Sequence, residues 1–108
     1  MIDPASAKQV LDQYKKHGWA LRRVLFSSQL SPDVVRLTGE IPSKQAPIDG
    51  FWFSRRSRPG CEAWELRRLS GSPFALVQVI EDGIDPETFE EILRSVEDRI
   101  GSSGPVSH

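Results

Sequence analysis

Apolar residues keep helical spacing at the two ends of this chain and strand spacing in its middle. Near the N-terminus, Ala7, Val10, Leu11 and Tyr14 recur every three or four residues and form one face of a helix. Asp3-Pro4 is a natural start for it: Asp caps the free N–H groups, and Pro fits the first helical position, where its missing N–H costs nothing. Lys15, Lys16 and His17 suit the negative end of the helix dipole, and Gly18 stops the helix. The C-terminal part repeats the device. Asp85-Pro86 opens a helix whose stripe is Phe89, Ile92, Leu93, Val96 and Ile100, and Gly101 ends it.

Between these helices the period shortens. Trp19 to Phe26 predicts a strand of imperfect alternation, with Trp19, Leu21, Arg23 and Leu25 on one side and Ala20, Arg22, Val24 and Phe26 on the other. In the weakly patterned stretch 27–48, Ser31-Pro32-Asp33 caps a short helix through Val34, Val35 and Leu37 that Gly39 ends. The following EIPSKQAPI carries two prolines and is expected to be a loop. Asp49 to Ile80 then predicts a meander of three strands with turns at Ser57–Gly60 and Ser70–Pro73.

Pairing Arg56 with Cys61 and Leu69 with Phe74 sorts the meander into two faces. One carries Phe51, Phe53, Arg55, Glu62, Trp64, Leu66, Ala75, Val77 and Val79. The other carries Trp52, Ser54, Arg56, Ala63, Glu65, Arg67, Leu69, Phe74, Leu76, Gln78 and Ile80. The expected fold is α+β: an antiparallel sheet of about four strands, the 50–80 meander plus strand 19–26, packed with N- and C-terminal helices. Both helices are expected on the face of Phe51, Phe53, Trp64, Leu66, Val77 and Val79, where Trp64→Ala or Leu66→Ala should be severely disruptive. In outline, helices that bracket a meander resemble those of small secretion-chaperone-like α+β domains, an architecture with no functional motif attached. Residues 1–101 form one expected domain, and 102–108, with no apolar anchor, an expected disordered tail.

Composition narrows the function without naming it. At 108 residues one core is affordable without staples, because a chain this long buries roughly 65% of its unfolded surface. The lone Cys61 excludes an internal disulfide and fits a reducing compartment. The N-terminal residues show no basic stretch followed by an apolar one, and no apolar run is long enough to span a bilayer, so a cytoplasmic protein with no membrane partner is expected. Net charge is −1, yet residues 19–68 hold nine basic and five acidic side chains, and residues 81–100 two and eight.

Catalytic chemistry finds little to work with. Two histidines, one of them terminal, and one cysteine do not supply a transition-metal set. His17 is better placed as a helix-end cation, and Cys61 has no base and orienting group to activate it. Glu81, Asp82, Asp85 and Glu87 lack the spacing of a calcium loop, and no phosphate-loop motif occurs. No catalytic residue, metal or cofactor is expected.

Two surfaces remain. Arg22, Arg23, Arg55, Arg56, Arg58, Arg67 and Arg68 could bind anions or single-stranded nucleic acid with Trp52 stacking a base, although cross-strand pairing with Glu62 and Glu65 would consume several of them. The leading expectation is a small non-enzymatic interaction or accessory domain, homodimeric through its outer sheet face. There Trp52, Leu69, Phe74 and Leu76 would form the contact, with Arg56 and Arg67 at its rim, unless a terminal helix covers them. A ligand pocket between the 27–48 segment and the sheet is a third possibility.

Overall fold

A computed structural model describes residues 2–70 and 74–102. The elements are α1 (Pro4–Lys16), β1 (Ala20–Phe26), α2 (Pro32–Thr38), β2 (Ser43–Gln45), β3 (Gly50–Arg58), β4 (Cys61–Arg68), β5 (Phe74–Glu81) and α3 (Pro86–Ser102). One sheet runs in the order β2-β1-β3-β4-β5, with β1 and β2 parallel and every other pair antiparallel. The expected α+β fold is present, with its meander and its terminal helices. The expected tail lies almost wholly outside the described residues.

Local chemistry starts each helix in the same way. Asp3 Oδ2 accepts from Ser6 N–H at 2.9 Å, Ser31 Oγ from Val34 N–H at 3.3 Å, and Asp85 Oδ2 from Thr88 N–H at 3.2 Å. In each case a proline follows the capping residue and occupies the first turn. Gly39, at φ 62°, ends α2 as its position suggests. The stretch after it is not all loop: Ser43, Lys44 and Gln45 pair in parallel with Val24, Leu25 and Phe26. That makes five strands where about four were expected.

The registers differ from expectation, and the difference rearranges the faces. Arg58 pairs with Cys61 across a two-residue Pro59-Gly60 turn, with Gly60 at φ 84°, and the ladder shifts between Arg56 and Arg58. A two-residue loop that needs positive φ at its second position twists poorly with a hairpin, and the bulge at Ser57 absorbs the mismatch. The extra residue moves Trp52 opposite Leu66 and Ser54 opposite Trp64, in place of Phe51 with Leu66 and Phe53 with Trp64. On the other side of β4, Arg68 rather than Leu69 faces Phe74. These two single-residue slips cancel for β5 relative to β3, so β4 alone changes sides. A second bulge, between Leu21 and Arg23, explains the imperfect alternation of β1.

The helices divide between the two faces instead of sharing one. α1 and α2 cover Val24, Phe51 and Phe53 with Ile2, Ala7, Val10, Tyr14 and Val34. Tyr14 stacks flat on Phe53 at 4.0 Å between ring centroids. On the opposite face, Leu93, Val96 and Ile100 of α3 pack on Leu25, Trp52, Trp64, Leu66 and Ile80. Val77 and Val79, expected under a helix, are 52% and 42% exposed. Neither α1 nor α2 reaches them, because those helices stand over the β1–β3 half of the sheet.

Candidate functional site

The residues expected to form an interface are brought together only in part, and not as an exposed surface. Trp52 is fully buried beneath α3, and its indole N–H donates to Glu97 Oε2 at 2.9 Å. Phe74 and Leu76 pack at the margin of the same core, whereas Leu69 packs against the α1 side. Arg56 lies exposed at the tip of the β3–β4 hairpin, and Arg67 stands on the α1 face. A dimer anchored by Trp52 is therefore corrected: the cover that this face needed is supplied by the chain's own C-terminal helix.

The arginines are engaged one by one. Because of the β1 bulge, two consecutive arginines turn to the α3 side. Arg22 donates to Ser54 Oγ at 3.0 Å and lies 4.9 Å over the Trp64 ring. Arg23 makes two hydrogen bonds to Glu90, at 2.8 and 2.5 Å, and lies 5.7 Å from the centre of the Phe89 ring. Phe89 in turn meets Trp64 edge-on at 5.0 Å, so the two arginines bracket an aromatic pair that ties α3 to β4. The hydrogen bonds from Arg23 hold the Glu90 carboxyl below its ordinary range.

Arg55 donates to the His17 carbonyl at 2.9 Å over the Trp19 ring, and Arg56 pairs with Asp82 at 3.0 Å. The glutamates expected to pair with these arginines do something else. Glu62 accepts from the Trp64 indole at 3.0 Å, and Glu65 accepts from the Tyr14 hydroxyl. For Glu65 this follows from the altered register, which places it opposite Phe53 beneath Tyr14. Burial first, and the Glu65 carboxylate second, raise the Tyr14 phenol above its ordinary value. Arg67 borders this corner, a recess of about 180 Å³ lined with Gln13, Tyr14, His17, Trp19 and Glu65. Arg68 is the exception: its Nε and Nη1 are buried without a hydrogen-bond partner among the described residues.

Asp49 has a role that its sequence context does not signal. It is 1% exposed, and its Oδ1 accepts from Ser27 N–H at 2.7 Å and Ser27 Oγ at 3.0 Å. Its carbonyl accepts from Leu69 N–H at 2.9 Å, so one residue joins the ends of β1, β3 and β4. Burial pushes its carboxyl up, but the donated hydrogen bonds outweigh burial and leave it below the ordinary 3.8. An acid preceding a glycine at a strand start gave no hint of this role.

What lies open is β5. Its eight residues form one edge of the sheet, and register with β4 runs unbroken from Cys61–Glu81 to Arg68–Phe74. Val77 and Val79 stand exposed on one face. On the other, a groove of about 300 Å³ separates the strand from α3, lined with Gln78, Thr88, Glu91, Ile92, Ser95 and Arg99 among others. The signal was present in FALVQVIE, which is apolar on both faces as a central strand would be, yet the strand sits at an edge.

Among the described residues, no three His, Cys, Asp or Glu side chains gather as a metal site would require. No described helix is long and apolar enough to cross a membrane. The outline resemblance to secretion-chaperone-like domains carries no argument about activity, since no protein-family model, curated protein or solved structure matches this chain.

Proposed function

We propose that this protein is a small non-enzymatic interaction or accessory domain, and that it engages a protein partner through the β5 edge. One observation carries the reading: β5 offers an eight-residue edge without proline, Lys or Arg, and beside it Val77 and Val79 are 52% and 42% exposed. Such an edge presents a row of free backbone donors and acceptors, which a partner strand can satisfy while apolar side chains dock alongside. The lone, buried Cys61 suits a cytoplasmic setting. Binding of anions or single-stranded nucleic acid has less support, because Arg22, Arg23, Arg55 and Arg56 are held by aromatic rings, carboxylates and backbone carbonyls.

The test is a photo-crosslinking amino acid placed at Val77 and, as control, at the exposed Arg36 of α2. The expected result is a protein adduct from position 77 that position 36 does not give. Equal or absent adducts from position 77 would overturn the reading. Retention on heparin that Arg56→Glu with Arg67→Glu abolishes would favour the nucleic-acid reading instead.

A further inference from the structure

We propose that the groove between α1, α2 and the start of β1 binds an aliphatic carboxylate, with its hydrocarbon chain on the groove floor and its charged head at Lys15. The groove holds about 500 Å³, within the roughly 300–1,000 Å³ usual for small-molecule sites. It lies apart from the β5 edge and does not depend on what docks there.

The groove originates in a mismatch of helix lengths. α1 and α2 cover the same face of the sheet, yet α1 has thirteen residues and α2 seven. At about 1.5 Å per residue, roughly 9 Å of α1 has no part of α2 beside it. Side chains along that margin stop short of full burial. Leu11, Leu21, Leu37 and Ile41 are partly exposed and line the groove, and the buried Phe53 closes its floor.

Polar recognition is confined to the rim. The one hydroxyl of the lining, on Thr38, donates to the Val34 carbonyl at 3.1 Å and has no proton to offer a ligand. Lys8, Asp12 and Lys15 follow one another at four- and three-residue spacing along the groove side of α1. Lys8 is engaged with Asp12 at 2.8 Å. Among the described residues no carboxylate pairs with Lys15, so the rim keeps one net positive charge there.

This combination selects its ligand. A polyanion would find a single ammonium for many charges and no use for the apolar floor. A cationic amphiphile would set its head against Lys15. An aliphatic carboxylate uses both features at once. Its chain supplies most of the affinity by leaving water, and its head fixes the orientation and the sign of charge accepted.

Trp19 reports on the site. It lines the groove four residues after Lys15 and is partly exposed, whereas Trp52 and Trp64 lie buried beneath α3 on the opposite face. A hydrocarbon chain that excludes water from Trp19 should shift its emission to shorter wavelength.

Decanoate and decyltrimethylammonium carry chains of nearly equal length and heads of opposite charge. Each is titrated into the full chain below its micelle-forming concentration, with binding read by calorimetry and by tryptophan emission. The expected result is saturable decanoate binding, weaker binding of the cation, and an emission shift that Trp19→Phe abolishes. Lys15→Glu, at an exposed position, should weaken decanoate about fivefold and strengthen the cationic probe. Leu11→Gln should weaken both probes alike. Should it lose its helical circular dichroism, the Lys15→Glu comparison carries the test.

Decanoate that fails to bind saturably would overturn the proposal. So would a wild type that prefers the cationic probe, or a decanoate affinity that Lys15→Glu leaves unmoved. An emission shift that survives Trp19→Phe would place the chain beneath α3 and overturn it as well.

Discussion

The sheet ends in two unlike edges. β2 is three residues long, exposed at each of them, centred on Lys44 and bracketed by Pro42 and Pro47. β5 is eight residues long, unbroken in register, and carries no basic residue or proline between Phe74 and Glu81. Shortness, lysine and proline are the usual means by which an edge is kept from pairing with another chain. One edge has all three and the other has none. The recognition proposed at β5 rests on this contrast rather than on a catalytic or charged motif.

The edges also differ in what supports them. β2 is reached from β1 through α2, within about twenty residues of chain. β5 is held in place by α3, which docks on Trp52, Trp64 and Leu66. The largest effect is therefore expected from Trp52→Ala. It removes the fully buried indole under α3 and leaves the buried Glu97 carboxylate without its 2.9 Å donor. A loss of about 3–5 kcal/mol is expected, out of the roughly 5–15 kcal/mol typical of a domain. Amide exchange should rise first in β5 and α3, and later in β1 and α2. Uniform acceleration throughout the sheet would show that the two halves do not differ in support.

A second variant probes the junction between the halves. Asp49→Asn keeps the shape but weakens the acceptor that holds Ser27, and about 1–3 kcal/mol should be lost near neutral pH. The pH dependence has a definite sign. Because the folded carboxyl lies below the ordinary 3.8, its contribution is fully present above that value. It disappears as pH falls through the lowered folded value. The gap in melting temperature between wild type and Asp49→Asn should accordingly narrow in acid. A gap that stays constant from pH 7 to roughly pH 2 would mean that the carboxylate charge is irrelevant there.

These features were not equally legible in the sequence. Helix starts were, because a cap is a local device: Asp3-Pro4, Ser31-Pro32 and Asp85-Pro86 each announce a helix within four residues. The α3 stripe was equally plain. Strand faces were harder, since one inserted residue reverses all that follows. Nothing about Ser57 or Arg22 marks it as the extra residue of a bulge, and Trp64 and Leu66 were assigned to the wrong side on that account. β2 escaped notice because three residues in a parallel pair need no alternation of their own. That β5 is an edge, and Trp52 a centre, depends on strand order and on which face α3 takes. Both are decided by contacts between distant parts of the chain.

The smaller effects test the edges directly. Val77→Lys with Val79→Lys should leave the melting temperature within the small range typical of exposed substitutions, about 0.5 kcal/mol, because both side chains are already about half exposed. Protein adducts from a crosslinking residue at the exposed Ala75, on the same face, should nevertheless be lost. Large destabilisation with the adducts retained would mean that these valines serve the fold rather than the edge.

The smallest effect is expected at the other edge. Lys44→Thr deletes the central charge of β2 and puts a strand-favouring residue in its place. Lys44 also stands 3.7 Å from Glu97, an exposed amine beside a carboxylate that is 9% exposed. Losing that pair should cost only about 0.2–1 kcal/mol, since the amine remains largely solvated. Association should be unchanged: three residues offer too few backbone groups to repay the ordering of two chains, even with the lysine gone. Light scattering of Lys44→Thr in the Val77→Lys, Val79→Lys background isolates this edge from β5. A monomer there identifies length as what silences β2. Association in that background would instead identify the single lysine as the protection, and would predict that one lysine on β5 is enough to close the opposite edge.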